Sequence, residues 1–136
     1  MRRSTSRCRT TARRCGWIPT ISSRRAARLL RPGGRLAFTT ASPILELCWP
    51  IGASHPGREL CNDYFTMHEI RDGGGVVFNL PFSEWVHLFT DSGLVIRNLH
   101  ESRPPDGVTE TTYRDATHID WARRWPSELL WVLDRV

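Results

Sequence analysis

His68 and His87 are the side chains of this sequence best suited to moving a proton near neutral pH. An unperturbed imidazole titrates at about 6.5, so it can take a proton from an attacking group and return it. His68 stands in Met67-His68-Glu69, ahead of a β-favouring run, and is the candidate general base. His87 falls between Val86 and Leu88 on the expected polar side of a helix, which puts it at the surface. Glu101 and Asp120 stand in polar surroundings and read as solvated carboxylates. The cysteines, Cys8, Cys15, Cys48 and Cys61, show no Cys-x-x-Cys spacing, and no pair of histidines has ligand spacing. No metal site is therefore expected, and the thiols read as free in a reducing, cytoplasmic setting. Gly73-Gly74-Gly75 is rich enough in glycine to cradle a phosphate, but such a loop follows a buried strand and opens a helix. This one follows a turn residue, Asp72, and leads into the strand-like Val76 to Leu80.

The elements that must hold these residues are organised around Arg28 to Thr40. Ala26, Leu29 and Leu30 recur at helical spacing and predict one apolar face of a helix running to Arg31. Pro32 cannot continue that helix, and Gly33 or Gly34 can take the left-handed conformation that closes it. Ser22 or Ser23 is the expected cap at its start. Arg35 to Thr40 then predicts a strand, so a tight corner joins helix to strand as in half of a βαβ unit.

Beyond this strand, 41–65 is irregular and carries Pro43, Pro50, Pro56, Trp49, Tyr64 and Phe65, with short helices expected over 43–49 and 58–65. Met67 to Arg71 and Val76 to Leu80 predict a hairpin about the glycine turn. Pro81 to Ser92 is the clearest helix, with Pro81 at its first position and an apolar stripe of Phe82, Trp85, Val86 and Phe89. Leu94 to His100 predicts a strand. Residues 101–127 are polar and proline-rich and read as a long connection, after which Leu129 to Leu133 predicts a last strand.

The string Arg28-Leu29-Leu30-Arg31-Pro32-Gly33-Gly34-Arg35-Leu36-Ala37-Phe38 resembles the segment entering the fifth strand of class I S-adenosylmethionine-dependent methyltransferases. Leu88-Phe89-x-x-x-Gly93-Leu94-x-Ile96 is similar to that family's last helix and sixth strand. Trp125-Pro126-Ser127-Glu128 with its apolar run resembles the seventh strand of actinobacterial-looking members, antiparallel and slotted between the fifth and sixth. The resemblance covers about 17–136. It implies an α/β fold, the C-terminal half of a Rossmann-like methyltransferase sheet with a hairpin and a substrate-covering lid at 41–66. It implies methyl transfer from S-adenosylmethionine to a small-molecule acceptor. On that basis Trp49, Tyr64, His68 and His87 are the acceptor-side candidates, and Trp17, just after the expected fourth strand, is the candidate cofactor contact.

The family grips its cofactor with a Gly-x-Gly loop after the first strand and an acid closing the second. Neither appears, and there is no acid before Glu46. The expectation is a chain that lacks the donor grip and is inactive alone. Half a sheet also leaves the edge of the fifth strand uncovered, which predicts self-association.

The chain has 136 residues and 19 basic side chains, all arginine. Residues 1–35 hold eleven arginines and no acid, while 36–136 carry a net −6, so the overall +5 belongs to the N-terminal stretch. Residues 1–16 have little to bury and read as a disordered tail. A nucleic-acid-binding arm, an organellar transit peptide and a non-native start are the readings open to it. The third is preferred, because aromatics that would stack on bases are missing from the tail and family-like sequence begins abruptly at Trp17. With the arm favoured instead, the chain would be a non-catalytic interaction module that binds nucleic acid. No apolar run reaches membrane-spanning length.

Overall fold

The structure, a computed structural model, describes residues 19–72 and 75–136. Helix α1 (Pro19–Leu29) leads into strand β1 (Arg35–Ala41), followed by the short helix α2 (Pro43–Leu47) and a 3₁₀ turn at Tyr64–Thr66. Strands β2 (Ile70–Asp72) and β3 (Gly75–Val77) pair as a separate antiparallel ribbon. Helix α3 (Phe82–Asp91), strand β4 (Leu94–Ser102), helix α4 (Ala116–Ala122) and strand β5 (Glu128–Arg135) complete the chain. The main sheet has three strands in the order β1-β5-β4. β5 runs antiparallel to both neighbours, so the last strand sits between two strands that run parallel to each other. This is the insertion that Trp125-Pro126-Ser127-Glu128 implied.

The β1 corner forms as its residues dictate. Gly33 has φ of 74°, in the left-handed region, and its N–H donates to the carbonyl of Arg135 at 2.9 Å. Arg135 N–H donates in turn to Gly34 at 2.8 Å, so the corner is stitched to the end of β5. The Arg135 guanidinium also donates to the carbonyls of Ala27 and Leu30, taking up acceptors that the end of α1 leaves free.

One face of the sheet is buried. Leu129, Trp131 and Leu133 alternate along β5 and meet Trp85, Leu88 and Phe89 of α3, with Ala27 of α1 beside them. Phe89 is fully buried, its ring 5.0 Å from that of Trp131 and 6.0 Å from that of Phe38, both edge-on. Along the opposite face Ala37 and Thr39 are exposed and Leu130 and Val132 half-buried.

Several local expectations are corrected. α1 is already helical at Pro19, which suits a first turn, so Ser22 and Ser23 lie inside the helix and do not cap it. Ser23, Ala27 and Leu30 line its inner face, while Leu29 is 86% exposed; the small side chains let α1 lie close to the core. In α3 Leu88 takes the buried place expected of Val86, which is 42% exposed. Pro81 precedes α3 at its cap position instead of opening it. Residues 58–63 form no helix, because the N–H groups of Cys61 and Asn62 turn back to the carbonyl of Leu47. The hairpin is shorter than expected: beyond Val77 the chain peels away to bring Asn79 under α3. β4 extends to Ser102 and carries a bulge between Ile96 and Asn98, and the connection 101–127 contains α4. Gly73 and Gly74, of the expected glycine turn, lie outside the described residues, as does Trp17. Among the described residues no helix is long and apolar enough to cross a membrane.

Two predictions follow from the sheet. The bond between Arg135 and Gly34 sets the alternation along β1, so Leu36, Phe38 and Thr40 bond to β5 while Ala37 and Thr39 turn their N–H groups outward. Amide exchange followed by NMR should be slow at Leu36, Phe38 and Thr40 and fast at Ala37 and Thr39; uniform protection would contradict the edge position. The second concerns Arg35 and Asp134, which form a two-point ion pair at 2.7 and 3.2 Å. The hydrogen bond from Arg35 holds the Asp134 carboxyl below the usual carboxylate range. A depressed folded pKa means the pair's contribution is complete above about pH 4 and is lost as pH falls further. Urea midpoints of the chain and of Asp134→Asn should therefore differ at pH 7 and draw together as pH falls below about 4, and a pH-independent gap would refute the pairing.

Candidate functional site

In a sheet of this kind the chemistry gathers beyond the carboxyl ends of the parallel strands. β1 ends at Ala41, and Ser42 turns the chain into α2 by accepting from the N–H of Ile44 at 3.1 Å. Ser42 N–H donates to Ser127 at 3.0 Å, which ties the start of β5 to the same place. From below, Asn79 holds this corner. Its side-chain amide donates to Ala41 at 3.1 Å, and its carbonyl accepts from Leu80 N–H and from the Trp85 indole at 2.8 and 3.1 Å. A buried amide with so many partners fixes where the segment after β1 can go.

That segment folds back on α2. Gly57 N–H donates to Cys48 at 2.7 Å and Cys61 N–H to Leu47 at 2.8 Å. The Asn62 side chain donates to the carbonyls of Glu46 and Trp49, both at 2.8 Å. The Trp121 indole of α4 reaches across to Gly57 at 2.6 Å. The result is a flap whose inner surface is Leu45, Cys48 and Trp49 packed on Trp121 and Ala122, with Trp125 at the margin.

Two buried ionisable groups lie on the helices that meet here, one on α2 and one on α4. Glu46 is 2% exposed and His118 is 7% exposed. The His118 ring stands edge-on to Trp49 at 5.5 Å, and its backbone is fixed by the Asp115 cap of α4 at 2.8 Å. A carboxyl and an imidazole beyond the carboxyl end of β1, beside indole rings, are groups that can orient a polar small molecule and exchange a proton with it. Burial pushes the Cys48 thiol up, and the Cys61 thiol nearby adds to the shift, so Cys48 is not a ready nucleophile.

Of the residues that the sequence offered, Trp49 lies in this cluster. Tyr64 and His68 stand together elsewhere, against the start of α3. The Tyr64 hydroxyl accepts from Phe82 N–H at 2.8 Å, and His68 Nε2 lies 2.6 Å from the Glu84 carboxylate. His87 is exposed on the outer side of α3, and Glu101 and Asp120 are exposed as well. An open depression of 280 Å³ lies between flap and hairpin, lined by Ile51, Asn62, Asp63 and Arg71 among others, and it touches none of the four candidates. Glu46 and His118 were missed. His118 had a signal: Asp115 followed by Ile119, Trp121 and Ala122 is a capped amphipathic turn ahead of Pro126.

The corners that run from strand to helix do not suit a nucleotide-type cofactor. β1 passes into α2 through Ser42-Pro43, and β3 passes into α3 through 78–81, without a glycine in either. Backbone carrying side chains at these corners cannot approach a ribose or carboxylate as a glycine loop does. Among the described residues no group of three or more His, Cys, Asp or Glu side chains could hold a metal ion.

Asn62 is the flap's main polar clasp. Asn62→Ala removes both side-chain bonds, which should cost about 1 kcal/mol of global stability. Local opening should respond far more, with proteolysis within 50–60 rising about tenfold, since such segments open independently of the core. Limited proteolysis with peptide mapping reads this, and an unchanged cleavage pattern would show that the flap is held by its indoles alone.

No protein-family profile and no curated protein sequence matches the chain. Solved structures do. A protein from Listeria monocytogenes, assigned as an S-adenosylmethionine-dependent methyltransferase, superposes with a TM-score of 0.61 at 17% identity. The match covers 88% of this chain and 57% of that one. An S-adenosylmethionine-dependent methyltransferase from Mesorhizobium loti superposes with a TM-score of 0.58 at 22% identity, over 85% of this chain and 54% of its own. The chain thus spans a little over half the length of the solved structures it matches. At these identities the likeness is one of fold. What the chain carries is a partial Rossmann-like α/β domain with the fold of these structures.

Proposed function

We propose that residues 17–136 form the acceptor-side part of an S-adenosylmethionine-dependent methyltransferase acting on a small molecule. The observation that carries this is the flap: it leaves the carboxyl end of β1 in a methyltransferase-type sheet and folds back on α2 to meet α4, the helices on which Glu46 and His118 are buried beside Trp49. Methyl transfer depends on aligning donor and acceptor, so a site of this kind is built from two walls. The described residues supply one of them. In this reading Trp49 forms the floor for the acceptor, and Glu46 and His118 orient its polar group and take up its proton. The flap keeps water from the reacting atoms. Tyr64 and His68 brace the flap's far end against α3 and stand outside the chemistry.

The same reading assigns the grip on the methyl donor to polypeptide beyond these residues, since neither corner described above suits it. It follows that the 136-residue chain does not hold S-adenosylmethionine unaided. Titration calorimetry of S-adenosylmethionine into the purified chain should give no binding heat in the micromolar range. A saturable micromolar isotherm would overturn the division of labour.

A further inference from the structure

We propose that Cys48 and Cys61 form a thiol–disulfide switch that fastens the flap to the end of α2 when a small disulfide such as oxidised glutathione reaches it. The switch depends only on how the flap folds and is independent of the methyltransferase reading.

The end of α2 brings the two cysteines together. Cys48 is the cap residue there and closes the helix through its N–H, which lies 3.2 Å from the carbonyls of both Ile44 and Leu45. The Leu47 carbonyl, one peptide bond before Cys48, is among the acceptors that a helix end leaves over. Cys61 satisfies it twice: its N–H donates at 2.8 Å and its thiol donates to the same oxygen at 3.2 Å. Beyond Cys48, its own carbonyl accepts from Gly57 N–H at 2.7 Å. The returning chain is thus tied to the peptide groups on both sides of Cys48. Because both residues adjoin the Leu47 oxygen, standard peptide dimensions put their Cα atoms at most about 7 Å apart. A disulfide spans Cα separations up to about that value. Both thiols are free, Cys48 buried in the cluster with Trp49 and Trp121 and Cys61 exposed. The upward shift of the Cys48 thiol includes a contribution from Cys61, as expected of near neighbours.

Exposure divides the roles. Cys61 is open to solvent and reacts first. Its thiolate attacks one sulfur of the oxidant, the oxidant's S–S bond breaks, and the first small thiol leaves with the proton that Cys61 gave up. Burial favours the protonated form of Cys48, so it reacts second. It loses its proton to water and attacks Sγ of Cys61 in the mixed disulfide, which releases the second small thiol. Two protein thiols are oxidised and one small disulfide is reduced to two thiols. The new bond closes residues 48–61 into a ring and reinforces the hold of the Asn62 side chain on Glu46 and Trp49. A cross-link that forms and reverses in this way suits redox sensing and not permanent structure.

The test uses the full chain with excess oxidised glutathione, followed by peptide mapping without reductant. Cys48 should be found joined to Cys61, and reduced glutathione should reverse the bond. Proteolysis within 50–60 should fall about tenfold on oxidation and recover on reduction, since a closed ring restrains local opening. In Cys48→Ala the reaction should halt at a glutathione adduct on Cys61. In Cys61→Ser, a change at an exposed site that leaves the interior intact, Cys48 should stay unmodified and cleavage unchanged. A glutathione adduct that persists on Cys61 of the unaltered chain would overturn the proposal. So would Cys61 joined to Cys8, to Cys15 or to a second chain, a bond from Cys48 to Cys61 that leaves cleavage as it was, or thiols that do not react.

Discussion

The structure depends on the last strand entering between two earlier ones. β5 cannot take its place until β1 and β4 exist, and neither has another strand partner among the described residues. The constraint is met by side chains on one face. Leu129, Trp131 and Leu133 are all but inaccessible, and they find α3 waiting with Trp85 and Phe89. Because side chains alternate along a strand, a slip of one residue would turn all three to the open face and bring Leu130 and Val132 in. The aromatic contacts with Phe89 and Phe38 therefore fix register as well as burial.

The same insertion builds the site. β5 begins at Glu128, just past Ser127, whose carbonyl holds Ser42 at the end of β1. The connection that returns the chain to this point carries α4, and α4 brings His118 and Trp121 over the flap. A cluster of Trp49, Trp121 and Trp125 thus forms where the strands end because the topology delivers three separate segments there: the exit of β1, the entry of β5 and the helix before it. Asn79 joins this assembly to the core through the Trp85 indole, so the packed face and the flap share one hydrogen-bonded joint.

How much of this was legible depended on whether a feature is set locally. Pro32-Gly33-Gly34 announces its corner because backbone chemistry alone decides it, and φ at Gly33 is what that chemistry requires. β1, α3, β4 and β5 were legible from period and length. Which residue of a helix turns inward was not: Val86 and Leu88 are both apolar, and only the position of the sheet selects Leu88. α1 was misread for a related reason, since Ser23 and Ala27 are buried for their small size. At the site, Trp49 was legible as an aromatic in an otherwise broken stretch. His118 was hidden inside a polar connection, and Glu46 lies in a helix of five residues, too short to show a period.

Inter-strand nuclear Overhauser effects test the insertion most directly. With β5 in the middle, its residues must approach β1 and β4 at once. Strong Hα–Hα cross-peaks are expected between Ala37 and Val132 and between Leu99 and Trp131, the close, non-hydrogen-bonded pairs on the two sides. Cross-peaks joining β1 directly to β4, with β5 seen on one side only, would contradict the account.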